Sequence, residues 1–255
     1  MIINHNIQAV NTHRNMGLNS AAASKNMEKL SSGLRINRAA DDAAGLSISE
    51  KMRGQIRGLE QAQRNVQDGI SFAQTAEGAM NEVSSMLGRM KELNVQKANG
   101  TYGSGDKANI NSELKALGSQ IDSIMTNTKF NGISITSNVS VQADDSSFKI
   151  QINGVSRTDF TALGSGTTLT NISKAIETVA KERANLGAVQ NRLEYTSNNL
   201  GTTVENLTAS ESRIRDTDMA KEMVALSKNN ILLQASQSML AQANQSPQGV
   251  LSLLR

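Results

Sequence analysis

The chain has 255 residues, 38% of them hydrophobic but only 2% aromatic, and it contains no Cys, no Trp and a single Pro. The lack of cysteine excludes disulfides, a thiol nucleophile and cysteine-ligated zinc. The 26 Lys and Arg residues are nearly balanced by 23 Asp and Glu residues, for a net charge of +3, and the two signs are interspersed, so the composition does not favour nucleic-acid binding. Small aliphatic residues and few helix breakers predict long helices packed along narrow seams.

The N-terminal segment carries a weak apolar stripe. Its members are Ile3, Ile7, Val10, Met27, Leu30 and Leu34. Such a stripe buries too little apolar surface to offset an ordering entropy of roughly 1–2 kcal/mol per residue. We therefore expect this end to be mobile in a free subunit and to become helical when partners cover it.

No basic leader followed by an apolar run opens the sequence, and no run of 18 apolar residues occurs, so we expect neither a cleaved signal peptide nor a membrane span.

A heptad pattern over residues 46–95 predicts a long coiled-coil helix. Its seam residues are Met52, Leu59, Val66, Ala73, Met80 and Leu87, with Ile56, Ile70, Val83 and Met90 beside them. Asp41 and Asp42 supply N-cap side chains just before it. Three glycines within residues 99–105 end the pattern, because glycine disfavours helix and supplies turn conformations. A second helix is predicted over residues 107–126.

The middle of the chain changes its period. Between residues 132 and 166, apolar and polar residues alternate, which is typical of half-buried strands. Asn153-Gly154 is a favoured hairpin dipeptide. This segment predicts a small β-hairpin region.

The heptads then return. The residues Ile172, Val179, Leu186, Leu193, Leu200, Leu207 and Ile214 are all spaced by seven. Two long stripes on either side of a short β segment predict a mainly α fold, a long antiparallel coiled-coil helical rod with a small β-hairpin region in the middle of the chain. A weaker stripe follows at the C-terminus, formed by Met219, Met223, Leu226, Leu233 and Leu240, before the apolar residues Leu251 and Leu254.

Residues for catalysis or metal binding are sparse. The two histidines, His5 and His13, lie eight residues apart and match no metal-binding spacing. The glycine-rich stretch at 100–105 lacks the Lys-Ser/Thr of a phosphate-binding loop. No nucleophile, base and orienting group can be assembled. We therefore expect no catalytic, metal or cofactor site, and a protein that is not an enzyme.

Two terminal motifs resemble those of bacterial flagellins. Residues 25–46 read KNMEKLSSGLRINRAADDAAGL, and residues 206–216 read NLTASESRIRD, followed by MAKE at 219–222 and by the segment 234–255. The resemblance covers about the first 132 residues and the last 85. It implies a structural subunit that polymerises into an extracellular flagellar filament for swimming motility and is exported by the flagellar type III apparatus.

The resemblance also implies a domain division. It gives an N-terminal filament-core helix and connector at 1–40, rod-domain helices at 41–132, a β-hairpin region at 133–170, a return helix at 171–212 and a C-terminal core helix at 213–255. The large outer domains usual in the family are missing from this short middle. Assembly and chaperone contacts are expected at Ile3, Ile7, Val10, Met219, Met223, Leu226, Leu233, Leu240, Leu251 and Leu254.

Partners follow from the same resemblance. They are other copies of the chain, a flagellar export chaperone, the filament cap and the hook-filament junction proteins, with no nucleic acid and no membrane. The innate immune flagellin receptor is a further candidate, through Arg89, Leu93 and Glu113. Two alternatives stay open from sequence alone, namely a hook-filament junction protein and a coiled-coil protein that binds nucleic acid.

Overall fold

The computed structural model describes residues 6–157, 160, 163 and 166–253, with the side chains of 247–253 left out. The described chain is mainly helical with a small antiparallel β region, which confirms the predicted fold class. Its elements are the helices α1 (Ile7–Ser32), α2 (Ala43–Ala98), α3 (Ser104–Asn127), α4 (Leu169–Arg215) and α5 (Met219–Leu253), and the strands β1 (Lys129–Phe130), β2 (Ile133–Ser134), β3 (Val139–Gln142) and β4 (Lys149–Ile152).

The chain forms two compact units. The terminal unit comprises residues 1–54 and 207–255, and the central unit comprises residues 55–206. The boundaries fall within α2 and within α4, so the ends of two long helices belong to a different unit from their middles.

Within the central unit, α2 and α4 run antiparallel. Arg183 on α4 forms an ion pair with Glu77 on α2, with 3.5 Å between Nη2 and Oε1. Further along, a Cβ on Gly201 would lie 3.8 Å from Nε2 of Gln63. Because the α4 numbers rise as the α2 numbers fall, the predicted antiparallel arrangement is confirmed.

The heptad residues build the core of the central unit. On α2, Val66, Met80 and Leu87 are fully buried, and α3 adds Leu114 and Ile121. The α4 residues Ile172, Val179, Leu186, Leu193 and Leu200 are buried as well. A seven-residue repeat keeps one stripe of a helix facing its partner, so these residues exclude water along the whole seam.

Two hairpins complete the central unit. Strands β1 and β2 are joined by Asn131 and Gly132, whose φ angles of 48° and 80° fit the two-residue turn for which Asn-Gly is suited. The pair Asn153-Gly154, for which a hairpin turn was predicted, instead follows β4, so that prediction is wrong. A Cβ on Gly154 would overlap the carbonyl oxygen of Thr136, and this close backbone approach explains the glycine.

Within the terminal unit, α1 and α5 pack together in antiparallel fashion. At one end, Nδ2 of Asn6 donates to the carbonyl oxygen of Ala243 at 2.6 Å. At the other end, Nζ of Lys29 lies 3.8 Å from Oε1 of Glu222. The two ends of the chain therefore form one helix pair.

A short connector leads from α1 to α2. Gly33 ends α1 in the left-handed conformation, with φ of 72°, as a glycine C-cap does. Leu34 then forms an antiparallel bridge with Asp216, which anchors the connector to the segment between α4 and α5. Asp42 caps α2 as predicted, since its Oδ1 accepts from the backbone N–H of Gly45 at 2.8 Å.

Candidate assembly surface

The two units differ sharply in what they bury. Among the described residues of the terminal unit, Ala23 and Ile36 are the only apolar side chains that are fully buried, whereas the central unit has a continuous core. Most of the large hydrophobic side chains that the described structure exposes lie in the terminal unit. Contiguous exposed apolar surface marks an interaction site in a soluble protein.

One side of α1 faces α5, and three large apolar side chains are exposed on the other side, among charged residues such as Arg14. The side toward α5 is buried or half-buried and is formed by six residues, four of them small or polar, namely Thr12, Met16, Asn19, Ala23, Asn26 and Leu30. Ile7, Val10 and Leu18 are 74%, 70% and 65% exposed. Successive residues of an α-helix are rotated by 100° about its axis, so these three side chains point away from the seam between α1 and α5. We call Ile7, Val10 and Leu18 the outer face of α1.

Helix α5 has the same division. Leu226, Leu233 and Leu240 are half-buried and lie on the stripe that faces α1. Val224 and Ile231, seven residues apart, are 70% and 66% exposed on the other side. Met223, which is 53% exposed, lines a shallow groove with them. We call Met223, Val224 and Ile231 the outer face of α5.

The assembly residues expected from the sequence therefore fall into separate groups. Ile7, Val10, Met219 and Met223 are exposed, while Leu226, Leu233 and Leu240 lie in the seam between α1 and α5. Ile3 and Leu254 lie outside the described residues, as does the side chain of Leu251.

Sequence reasoning missed Leu18, Val224 and Ile231. The seven-residue stripe on α5 identified the residues that pack against α1 and not the apolar residues exposed on the other side of the helix. One signal in the sequence could have revealed Val224 and Ile231: the apolar residues of α5 are distributed around the whole circumference of the helix. A helix that is apolar all round is covered on all sides in its functional state.

A charged cluster fixes the connector to α1. Nζ of Lys25 lies 2.8 Å from Oδ1 of Asp41, and Oδ2 of Asp41 accepts from the backbone N–H groups of Asn37 and Arg38 at 3.2 and 3.1 Å. These interactions, led by that with Lys25, lower the pKa of Asp41 from 3.8 to about 2. The carboxylate is therefore ionised at neutral pH and holds the connector in place.

A second ion pair joins α4 to α2 inside the terminal unit. Nη1 of Arg215 donates to Oε1 of Glu50, and this contact lowers the pKa of Glu50. The backbone carbonyl of the same arginine accepts from Arg35 N at 2.7 Å. The connector, α2 and α4 are thus tied together beside the helix pair.

The candidate receptor residues occupy two different environments. The Arg89 side chain is 52% exposed and lies 3.1 Å from Oε1 of Glu113 on α3 and 3.2 Å from Oε2 of Glu92. Both carboxylates raise the pKa of Arg89, Glu113 more strongly. Leu93 is only 1% exposed. Arg89 and Glu113 thus share a surface, and Leu93 belongs to the core beneath it.

The described residues hold no cluster of three or more His, Asp or Glu side chains suited to a metal ion. His13 is exposed on α1, and His5 lies outside the described residues. In the described part of the chain, no helix combines the length and the hydropathy that crossing a bilayer requires.

Comparison with known proteins gives a consistent assignment. Residues 3–141 match the bacterial flagellin N-terminal helical region, and residues 169–254 match the bacterial flagellin C-terminal helical region. The chain is 52% identical over 272 residues to the flagellin of Halalkalibacterium halodurans and 49% identical over 306 residues to that of Bacillus subtilis, with 100% of each chain covered. It is 46% identical over 286 residues to the flagellar filament 33 kDa core protein of Treponema phagedenis, again over the full length of both. The chain belongs to the bacterial flagellins, the structural subunits of the flagellar filament.

Proposed function

We propose that this subunit polymerises through the outer faces of α1 and α5, which become the contacts between neighbouring subunits in the filament core. The observation that carries the proposal is the contrast between the two units. The central unit has its own buried core, whereas the terminal unit leaves aliphatic side chains such as Val10, Val224 and Ile231 at least 66% exposed. Packing copies side by side removes this surface from water.

Burial of the outer faces contributes enough energy to change assembly measurably. Burying one Val, Leu, Ile or Met side chain contributes roughly 1.5–3 kcal/mol. Two such residues per subunit therefore contribute about 3–6 kcal/mol. A change of about 4 kcal/mol in the free energy of adding a subunit alters the critical concentration by roughly a thousandfold.

The finer organisation is part of the same proposal. Residues 1–40 and 213–255 form the filament core, while 41–132, 133–170 and 171–212 form the rod domain. The subunit reaches the extracellular filament through the flagellar type III apparatus. It has no catalytic role, in keeping with its membership of a structural protein family.

Before assembly, the exposed outer faces need protection. The residues Met219, Met223 and Met239 are 48%, 53% and 62% exposed on α5. Methionine side chains adapt to grooves of different shape. We assign the export chaperone to these exposed methionines of α5, and the cap and junction proteins to the ends of the growing filament.

The test replaces Val224 and Ile231 together by Asp. Charged side chains at these positions would have to lose their hydration on packing, which opposes assembly. We expect no sedimenting filaments and no filaments by negative-stain microscopy, with helix content by circular dichroism close to that of the native chain, because neither residue lies in the seam.

The matched control introduces two Asp residues at Ser85 and Ser112. Both serines are exposed, and each donates only to a carbonyl oxygen of its own helix, at 3.1 Å. This variant adds the same charge and should assemble normally. Normal filaments from the Val224 and Ile231 variant would refute the role of the outer face of α5.

A second function, recognition of the free monomer by the innate immune flagellin receptor, is favoured by one contact. Arg89 and Glu113 are 24 residues apart in sequence, yet the 3.1 Å ion pair places them on one exposed patch of α2 and α3. Arginine is a frequent interface anchor. Leu93 contributes by supporting α2 from within the core.

A further inference from the structure

The methionines of this chain are divided between the two units by their exposure. The sequence contains 11 of them. Met80, Met90 and Met125 are fully buried in the central unit. The described methionines that are at least 48% exposed all lie on the helix pair of the terminal unit, namely Met27 on α1 and Met219, Met223 and Met239 on α5. We call Met219, Met223 and Met239 the α5 methionines.

The thioether of an exposed methionine reacts with hydrogen peroxide. The O–O bond of the peroxide breaks, one oxygen atom becomes bonded to sulfur, and the other leaves as water with both hydrogen atoms. The sulfur is thereby oxidised by two electrons to a sulfoxide, and the peroxide is reduced. Because the sequence has neither Cys nor Trp, methionine is its most readily oxidised side chain. Burial denies the oxidant access to Met80, Met90 and Met125.

Oxidation changes what α5 offers to another subunit. A thioether is apolar and flexible, so it adapts to the surface against which it packs. A sulfoxide carries a polar oxygen, and burying that oxygen without a hydrogen-bond donor opposes packing. Met223 lines the shallow groove of α5 together with Val224, Ser227, Lys228 and Ile231. A sulfoxide at Met223 therefore makes polar an apolar part of the surface on which assembly depends.

We propose that the α5 methionines are a modification site for peroxide, and that their oxidation excludes a free subunit from the filament. Peroxide converts their thioethers to sulfoxides while the subunit is free. After assembly, neighbouring copies cover the same sulfur atoms, and the reaction becomes slow. The proposal rests on the proposed polymerisation through α5 and adds a chemical modification that controls it.

The modification is confined and reversible. The central unit keeps its packing, because Met80, Met90 and Met125 are out of reach of the oxidant. Methionine sulfoxide is reduced back to methionine by dedicated reductases, one for each sulfoxide epimer. Oxidised subunits should therefore stay folded in the central unit and regain assembly when the thioethers are restored.

The first test needs only the native chain. Monomers are partially oxidised with hydrogen peroxide, the peroxide is removed, and assembly is induced. Peptide mass spectrometry then compares the sulfoxide fraction at each methionine in the sedimented filaments and in the supernatant. We expect sulfoxides of the α5 methionines to be enriched in the supernatant by roughly tenfold, because a buried polar oxygen weakens addition of the subunit. Equal sulfoxide fractions in the two samples would overturn the proposal.

The second test replaces the α5 methionines by leucine, which is apolar, similar in volume and free of sulfur. The variant with Met219→Leu, Met223→Leu and Met239→Leu should assemble like the native chain. Peroxide should then leave its supernatant concentration nearly unchanged, against a rise of roughly tenfold for the native chain. Met27→Leu, which removes the exposed methionine of α1, is the matched control and should stay sensitive. A triple variant as sensitive as the native chain would contradict the proposal.

Enzymatic reduction separates sulfoxides from other damage. Oxidised native monomers are incubated with the two methionine sulfoxide reductases, and assembly should return close to the untreated value. Monomers that still fail to assemble after mass spectrometry shows the sulfoxides removed would refute the role of the α5 methionines. The outer face of α5 is tested separately: filaments from the Val224 and Ile231 variant refute that face, whereas filaments from fully oxidised native subunits refute only the modification site.

Discussion

At the residue scale, neighbouring side chains with the same chemistry perform different tasks. Asp41 and Asp42 both appear in the sequence as caps for α2, but only Asp42 caps that helix. Asp41 instead holds the connector through Lys25 and the N–H groups of Asn37 and Arg38. The sequence could predict capping because it depends on local spacing. The pairing with Lys25 depends on how the chain reverses after α1, which no local pattern shows.

The pKa of Asp41 leads to a prediction about acid. Because the pKa falls from 3.8 to about 2 on folding, the carboxylate stabilises the terminal unit above pH 3.8 and loses that contribution as the pH falls toward 2. We expect Asp41→Asn to lower the thermal unfolding midpoint at neutral pH, with the difference from the native chain closing over that range. The measurement is circular dichroism melting at a series of pH values. A difference that grows toward acid would contradict the assignment.

Unfolding stability distinguishes the roles of the candidate receptor residues Arg89 and Leu93. Arg89→Ala removes an exposed side chain and should weaken receptor activation while leaving the melting midpoint nearly unchanged. Leu93→Ala truncates a buried residue and should cost about 2–5 kcal/mol of unfolding free energy. Receptor-reporter dose-response curves and melting curves on the same samples check both. Arg64→Ala, another exposed arginine of α2, is the control. Curves for Arg89→Ala that overlay those of the native monomer would remove it from the site.

At the element scale, the spacing of apolar residues predicted where the helices lie, but it predicted only some of the surfaces against which they pack. The heptads of α2 and α4 pack against each other within one chain, so the pattern and the core coincide. On α5 the same pattern marks only the seam with α1, and the outer residues Val224 and Ile231 do not repeat across the whole helix. The hairpin turn predicted at Asn153-Gly154 is wrong, and the Asn-Gly turn that does form, at Asn131-Gly132, was not predicted, because the turn depends on which strands pair.

The helix pair α1 and α5 should be the least protected part of the monomer. Its seam contains polar residues such as Asn19 and Asn26 and little fully buried apolar surface. We expect fast amide exchange in both helices in the monomer and slow exchange in the filament, while α2 around Val66 to Leu93 is protected in both. Hydrogen exchange followed by mass spectrometry measures this. Full protection of α1 and α5 in the monomer would rule out ordering on assembly.

At the scale of the whole molecule, the terminal motifs identify the family, but the surfaces that join subunits need the structure. Motifs of ten or more residues are specific in sequence, whereas an interface is assembled from residues scattered over several elements. The exposed apolar residues of the terminal unit, for example, lie on α1 and α5, which are far apart in the sequence. The central claim is that a self-sufficient central unit carries a helix pair that is completed only by other subunits.

Cysteine labelling tests that claim most directly. Val10→Cys and Ile231→Cys place single thiols on the two outer faces, and Ser85→Cys places one at an exposed position of α2 in the central unit. A maleimide reagent is applied to monomers and to intact filaments of each variant. The account predicts fast labelling of all three monomers, continued labelling of Ser85→Cys in filaments, and strong protection of Val10→Cys and Ile231→Cys there. Equal labelling of Val10→Cys and Ile231→Cys in monomer and filament would contradict it.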